Sequence, residues 1–180
     1  MGDDDIKRFV GARFQTAFGA DAALGYPAWH ARPHGADKAA ALGYRSAADQ
    51  PLFLEAYLDM PIEDAVSDRL GHRVDRAEIV EIGCLASTSH VALIGLWHEI
   101  ATALDASHRV VVATLTATVR RLLDRVGVSL VEIAPAHPDR LADGIRWGRY
   151  YDDDPRVCVG IIAEGVASLD RYVALRTIAA

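Results

Sequence analysis

The residues best suited to move a proton lie in the segment 78–87, Glu-Ile-Val-Glu-Ile-Gly-Cys-Leu-Ala-Ser. Glu78 and Glu81 are three apart in a run of strand-like residues, so they point to opposite faces and cannot form a paired-carboxylate site. One of them facing a cleft would take a proton from a nucleophile, directly or through water. The competing reading is a carboxylate satisfied by neighbouring backbone or arginine. Glu81 ranks first for the catalytic role and Glu78 second. Glu55, Asp59 and Glu63 recur at four-residue intervals, which on a helix would align them on one face able to recognise an ammonium group. Pro61 interrupts that pattern, and an acidic solvated face accounts for it equally well. Tyr150 and Tyr151, preceded by Trp147, either place a phenol beside a leaving group as general acid or close a core edge with their polar ends wet. Cys84 sits among apolar residues with nothing nearby in sequence to lower its pKa, so a small core residue is its default and a nucleophile its alternative. Arg120, Arg121 and Arg125 present a basic face that would receive an acidic partner or simply be solvated.

Several familiar chemistries have no signature here. His98-Glu99 has Thr102 where a zinc-protease helix needs its second histidine, and His30 and His34 are separated by Pro33. The two cysteines, Cys84 and Cys158, are not at zinc-ligand spacing, and they are too few for a disulfide scaffold. No metal site is expected. There is no phosphate loop, no dinucleotide glycine fingerprint and no serine elbow flanked by glycines. A net charge of -6 is the wrong sign for a surface that tracks phosphates, which argues against nucleic acid as a partner. The acidic start, Met1-Gly2-Asp3-Asp4-Asp5, is unlike a signal peptide. The apolar run Val91–Trp97 is far too short to span a bilayer, so a soluble, cytoplasmic protein without a transmembrane segment is expected.

The elements that must position these residues follow from periodicity and punctuation. A first helix is expected over Asp4–Ala17, its acidic start matching the helix dipole. Strands at Tyr26–Ala31 and Ala39–Ser46 would form a hairpin through Pro33, Gly35 and Asp37. Leu52–Leu58 is ambiguous, and Pro61 opens a helix to Leu70. Glu78–Leu85 reads as a strand in the middle of a covered sheet. Ser87, Thr88 and Ser89 cap a helix whose apolar positions are Val91, Ile94, Trp97, Ala101 and Leu104. A buried strand Arg109–Thr114 leads to a helix with Val119, Leu122, Leu123 and Val126 on one face, and strands close the chain at Ser129–Ile133 and Arg156–Ala163. This alternation predicts an α/β domain spanning 1–180, with one mixed sheet covered by helices on both faces.

The segment 78–87 resembles the signature of the thermostable hemolysin family. Three further blocks agree with that family in order: Leu52–Asp59 with Pro61-Ile62-Glu63, Ala113–Thr118, and Trp147-Gly148-Arg149-Tyr150-Tyr151 followed by Pro155 and Gly160. The family is similar to GNAT N-acyltransferases and to acyl-homoserine-lactone synthases. The resemblance implies a GNAT-like fold with an acyl thioester in a cleft where the strands Glu78–Leu85 and Arg109–Thr114 splay apart.

A bulge near Gly83-Cys84 would turn backbone donors toward the thioester carbonyl, and the helix after Ser87 would turn its amides toward phosphate. Cys84, Leu85, Ser87, Thr114, Thr116 and Trp147 would then line the substrate site, with Glu55, Asp59 and Glu63 on the acceptor side. The family usually has asparagine where this chain has Cys84. The glycine-rich pyrophosphate loop is replaced by Ser87–His90, which leaves room for a phosphopantetheinyl acyl-carrier protein beside acyl-CoA as donor. The implied activity is transfer of an acyl group, of the fatty kind, from the thioester to an amine or amino-acid-like acceptor, with no permanently bound cofactor. The alternatives are a non-catalytic, membrane-active hemolysin-like protein and a fold that binds an acyl ligand without turning it over.

Overall fold

A computed structural model describes residues 2–22, 24–34, 37–142 and 144–178. Helix α1 (Asp3–Phe18) carries Asp3, Asp4 and Asp5 in its first turn, where the dipole favours them, and buries Ile6, Val10 and Phe14. Strands β1 (Ala28–His34) and β2 (Asp37–Ser46) follow as the expected hairpin. Gly35, which the sequence places in its turn, lies outside the described residues. Residues Phe53–Tyr57 form a 3-10 turn, and α2 runs Ile62–Leu70 directly after Pro61. Strand β3 (Ile79–Ser87) leads into α3 (His90–Leu104), then β4 (Val110–Leu115), α4 (Ala117–Arg125), β5 (Val131–Pro135), β6 (Arg156–Ile161) and α5 (Ile162–Ile178).

The strands make one six-stranded sheet in the order β1-β2-β3-β4-β6-β5. Only β3 and β4 run parallel; the other neighbours are antiparallel, so the sheet is mixed, as the alternation predicted. Helices α3, α4 and α5 bury one face through Leu93, Leu96, Trp97, Leu122, Leu123 and Leu169. The opposite face is covered in two parts, by Ile62 and Val66 of α2 and by Val10 and Phe14 of α1.

Two sequence expectations need correcting. Glu78 is not in the strand but ends a 3-10 turn over Arg76–Glu78, where its carboxylate accepts the Asp75 backbone N–H at 2.8 Å. The strand expected to reach Ala163 stops at Ile161, and a fifth helix follows at once. Its periodicity was present in Ile162, Val166, Leu169 and Tyr172, but Gly165 and the apolar run Val157–Ile162 hid the boundary.

Candidate active site

The parallel ladder between β3 and β4 pairs Ile79–Ile82 with Val110–Ala113 and goes no further. Past that point β3 keeps company only with β2, and the two central strands part. The β2–β3 register slips in the same place, between Ala41 and Gly43, while Cys84 adopts φ 50. This is the bulge expected at Gly83-Cys84, with a left-handed residue at its centre. The slip reverses the side-chain alternation. Ile79 and Glu81 share the α2 face, whereas beyond the bulge Cys84 and Ala86 take the α1 face and Leu85 the α3 face.

A cavity of about 260 Å³ fills the gap. Its walls come from both faces of the sheet: Tyr26, Glu81, Cys84 and Tyr150 on one side, Leu42, Leu85, Trp97 and Val119 on the other. It is therefore a passage between strands rather than a groove on one surface. The segment 144–153 closes the α1 side. Gly148 has φ 52, and a side chain there would meet the Phe18 carbonyl, so only glycine allows this close approach to the end of α1. The Asp21 N–H donates to the Arg146 carbonyl at 2.7 Å and fixes the same junction.

Glu81 is the buried charge of the site, 2% exposed. Its two oxygens accept the backbone N–H groups of Phe53 at 2.9 Å and Leu54 at 3.0 Å. The Tyr26 hydroxyl lies close enough to the same carboxylate to act on its protonation. Arg45, its cross-strand neighbour, holds Nε 3.9 Å away while donating to the carbonyls of Pro51 at 2.8 Å and Gly25 at 3.0 Å. The guanidinium lies 3.7 Å from the Phe53 ring centre. Burial pushes the Glu81 carboxyl up to about 7, against the opposing pull of the two N–H donors and Arg45. A carboxyl poised there can exchange a proton near neutral pH, the property a general base needs.

Several other predicted site residues border the same cavity. Cys84, Leu85, Thr114, Thr116 and Trp147 all line the cavity. Burial and the Glu81 charge push the Cys84 thiol up to about 12, so it is a core thiol and a poor nucleophile. Tyr150 lines the cavity with its hydroxyl donating to the Thr114 carbonyl at 3.1 Å, and burial holds the phenol well above its ordinary value. A phenol so placed keeps its proton and spends it on the Thr114 carbonyl.

The structure takes the remaining candidates elsewhere. Tyr151 shares a 2.8 Å hydrogen bond with the Tyr57 hydroxyl and does not line the cavity. Glu55, Asp59 and Glu63 do not form one helical face. Glu55 and Glu63 both bind Arg76, each at 2.7 Å, whereas Asp59 pairs with Arg140 at 2.8 Å on the surface. Glu55 also accepts the N–H groups of Leu52 and Ile62, and with Arg76 these hold its carboxyl down at about 2. Glu55 and Glu63 therefore tie the 53–57 turn to α2 through Arg76, and none of the three lines the cavity. Glu78 faces Arg109 at 3.7 Å outside the site. Ser87 ends β3, and Ser89 is the residue that caps α3, accepting the Ala92 N–H at 3.2 Å. Arg120 is held by Asp154 at 2.9 Å and Glu132 at 3.3 Å.

Sequence reading missed Tyr26, Arg45 and the Phe53-Leu54 amides, which surround Glu81. A signal existed in Gly43 and Gly83, glycines inside strands that mark a close approach by another group. Among the described residues no group of three or more His, Cys, Asp or Glu could hold a metal, and no helix is long and apolar enough to cross a membrane. Neither cysteine is in a disulfide, and both are buried.

The fold is shared with acyl-transferring synthases of the GNAT-like type. An N-acyl amino acid synthase from uncultured soil microbes, FeeM, superposes with a TM-score of 0.61 at 14% identity, covering 92% of this chain and 94% of that one. The AHL synthase LasI gives 0.60 at 11% identity, covering 90% and 85%. The CoA-dependent acyl-homoserine lactone synthase BjaI, solved with SAM and isopentyl-CoA, gives 0.59 at 11% identity, covering 94% and 82%. No curated protein matches by sequence. The profile of the thermostable hemolysin family matches residues 2–166, nearly the whole described chain. With the bulged β3 and the parted strands in place, the chain belongs to the thermostable hemolysin family.

Proposed function

We propose that this protein is an N-acyltransferase that moves an acyl group from a thioester to an amine or amino-acid-like acceptor. The observation that carries this reading is the cavity between β3 and β4 with the Glu81 carboxyl, held at about 7, on its wall. An apolar passage of about 260 Å³ suits an acyl chain, and a base at its polar edge suits an amine. The names of structures that share the fold, an N-acyl amino acid synthase and a CoA-dependent acyl-homoserine lactone synthase, support acyl transfer to nitrogen.

In this reaction the amine loses its proton toward Glu81 and attacks the thioester carbonyl, which the backbone around Cys84 and Leu85 stabilises as charge develops on oxygen. The carbon–nitrogen bond forms, the carbon–sulfur bond breaks, and the thiolate recovers the proton. The acyl chain lies along Leu42, Leu85, Trp97 and Val119, all apolar. Because Glu55, Asp59 and Glu63 are engaged elsewhere, Glu81 is the carboxylate left to receive the acceptor's proton. The donor is a cytoplasmic acyl-CoA or acyl-carrier-protein thioester, and no permanent cofactor is required.

The test incubates purified protein with acyl-CoA and acyl-carrier-protein donors and a panel of amines and amino acids, following thiol release and amide mass. Turnover with at least one pair is expected. No turnover with any donor, together with leakage from lipid vesicles, would favour the non-catalytic membrane-active reading instead.

A further inference from the structure

Glu81 borders the cavity, yet it is poorly placed to touch an acceptor itself. It is 2% exposed, and each of its oxygens already accepts a backbone N–H. Phe53 and Leu54 reach Glu81 through their backbone N–H groups, whereas Tyr26 brings a side-chain hydroxyl that stands on the cavity wall close to the carboxylate.

The fold builds a seat for that ring. Gly43 of β2 and Gly83 of β3 are Cα partners across the strands. A Cβ on Gly43 would stand 2.6 Å from the Tyr26 Cβ and Cγ, and one on Gly83 would fall on the Tyr26 hydroxyl. Two strand-interior glycines thus give up packing and backbone entropy where the phenol crosses them. Phe53 and Trp29 pack edge-on against the ring at 5.0 and 6.1 Å, and the Arg45 guanidinium sits 5.1 Å from its centre. Such confinement fixes the hydroxyl beside the bulge where β3 and β4 part.

We propose that Tyr26 is a catalytic residue: its hydroxyl meets the acceptor amine and relays the amine proton to Glu81. This rests on the acyltransferase reading above. The amine proton passes to the Tyr26 oxygen while the Tyr26 proton passes to the Glu81 carboxylate, and the amine nitrogen bonds to the thioester carbon. As the carbon–sulfur bond breaks, the same two protons return in reverse order and the thiolate leaves as thiol. Donor and acceptor yield amide and free thiol, with Tyr26 and Glu81 regenerated. Burial and the neighbouring carboxylate keep the phenol protonated at rest, so the two transfers are concerted.

The experiment compares wild type, Tyr26→Phe, Glu81→Gln and the double variant in the thiol-release assay. Tyr26→Phe keeps the ring in its glycine seat, so the fold is expected to stand. Its kcat should fall about 10²-fold or more, with the donor KM changed by less than about threefold. The double variant should be no slower than the worse single one, because the two residues act as a unit. A Tyr26→Phe rate within about threefold of wild type overturns the relay and leaves the acyltransferase reading standing. Wild type that is silent with every donor overturns both. Should Tyr26→Phe fail to fold, single-turnover rates of wild type in mixtures of light and heavy water decide instead. A curved dependence on deuterium fraction supports two protons in flight, and a linear or absent one overturns the relay.

Discussion

Replacing Glu81 by glutamine should change stability in opposite directions at low and high pH. The folded protein holds the Glu81 carboxyl at about 7, against an ordinary 4.5, because the charged form is poorly solvated where it sits. The folded state therefore binds the proton more tightly than the unfolded chain. Stability from this group is fully present below about pH 4.5 and is lost as pH rises through about 7. The difference of about 2.5 pH units is worth about 3 kcal/mol at 1.36 kcal/mol each. Glutamine does not titrate, but its amide NH₂ faces one of the two backbone N–H donors of Phe53 and Leu54. That mismatch costs about 1–3 kcal/mol at every pH. Glu81→Gln should thus be less stable than wild type near pH 4.5 and equal or more stable near pH 8, the gap moving by about 3 kcal/mol. Urea unfolding of both proteins across that range measures the gap directly, since the other titrating groups cancel in the difference. A gap that stays flat from low to high pH would refute the reasoning, because Glu81 would then titrate alike in the folded and unfolded chains.

Other outcomes follow from the same geometry. Arg76→Ala should destabilise the protein by about 1–3 kcal/mol in urea, since it frees Glu55 and Glu63 together; both are only partly buried, which keeps the loss below that of a fully buried pair. The Arg76 contact also holds Glu55 at about 2, so the stability it supplies is present above about pH 4.5 and disappears as pH falls toward 2, readable as acid unfolding shifted in that variant. Cys84→Ser should leave turnover with an acyl donor largely intact, and no acylated Cys84 should appear by mass spectrometry in wild type, as burial holds the thiol at about 12. Trp97 and Ile82 also border a second apolar cavity of about 30 Å³ beneath α5, so Trp97→Ala should extend the longest acyl chain turned over in a donor-length series.

The parts of this molecule legible from sequence are those decided locally. The apolar run of β3 announces a central strand, Ser89 announces the start of α3, and Gly83-Cys84 announces the break in the ladder. Glu81 and Glu78 stand out together in the sequence because carboxylates inside such a run demand an explanation. What surrounds it comes from sequence distances that no local pattern reports. Tyr26 approaches from 55 positions away, and the Phe53 and Leu54 amides from 28 and 27. The acidic residues Glu55, Asp59 and Glu63 misled for the converse reason. Their spacing suggested a shared face, but Arg76, remote in sequence, gathers two of them and Arg140 takes the third. Helix α5 was missed because its glycine and uncapped start conceal a regular apolar stripe.

The most direct test of the central claim is a crystal structure with an acyl-CoA analogue in which a methylene replaces the thioester sulfur, keeping the carbonyl but blocking transfer. The account predicts that the acyl chain runs through the gap between β3 and β4 along Leu42, Leu85 and Trp97, with its carbonyl against the Cys84-Leu85 backbone and the Tyr26 hydroxyl facing the carbonyl carbon. An analogue bound anywhere else, with the gap between the strands empty, would contradict it.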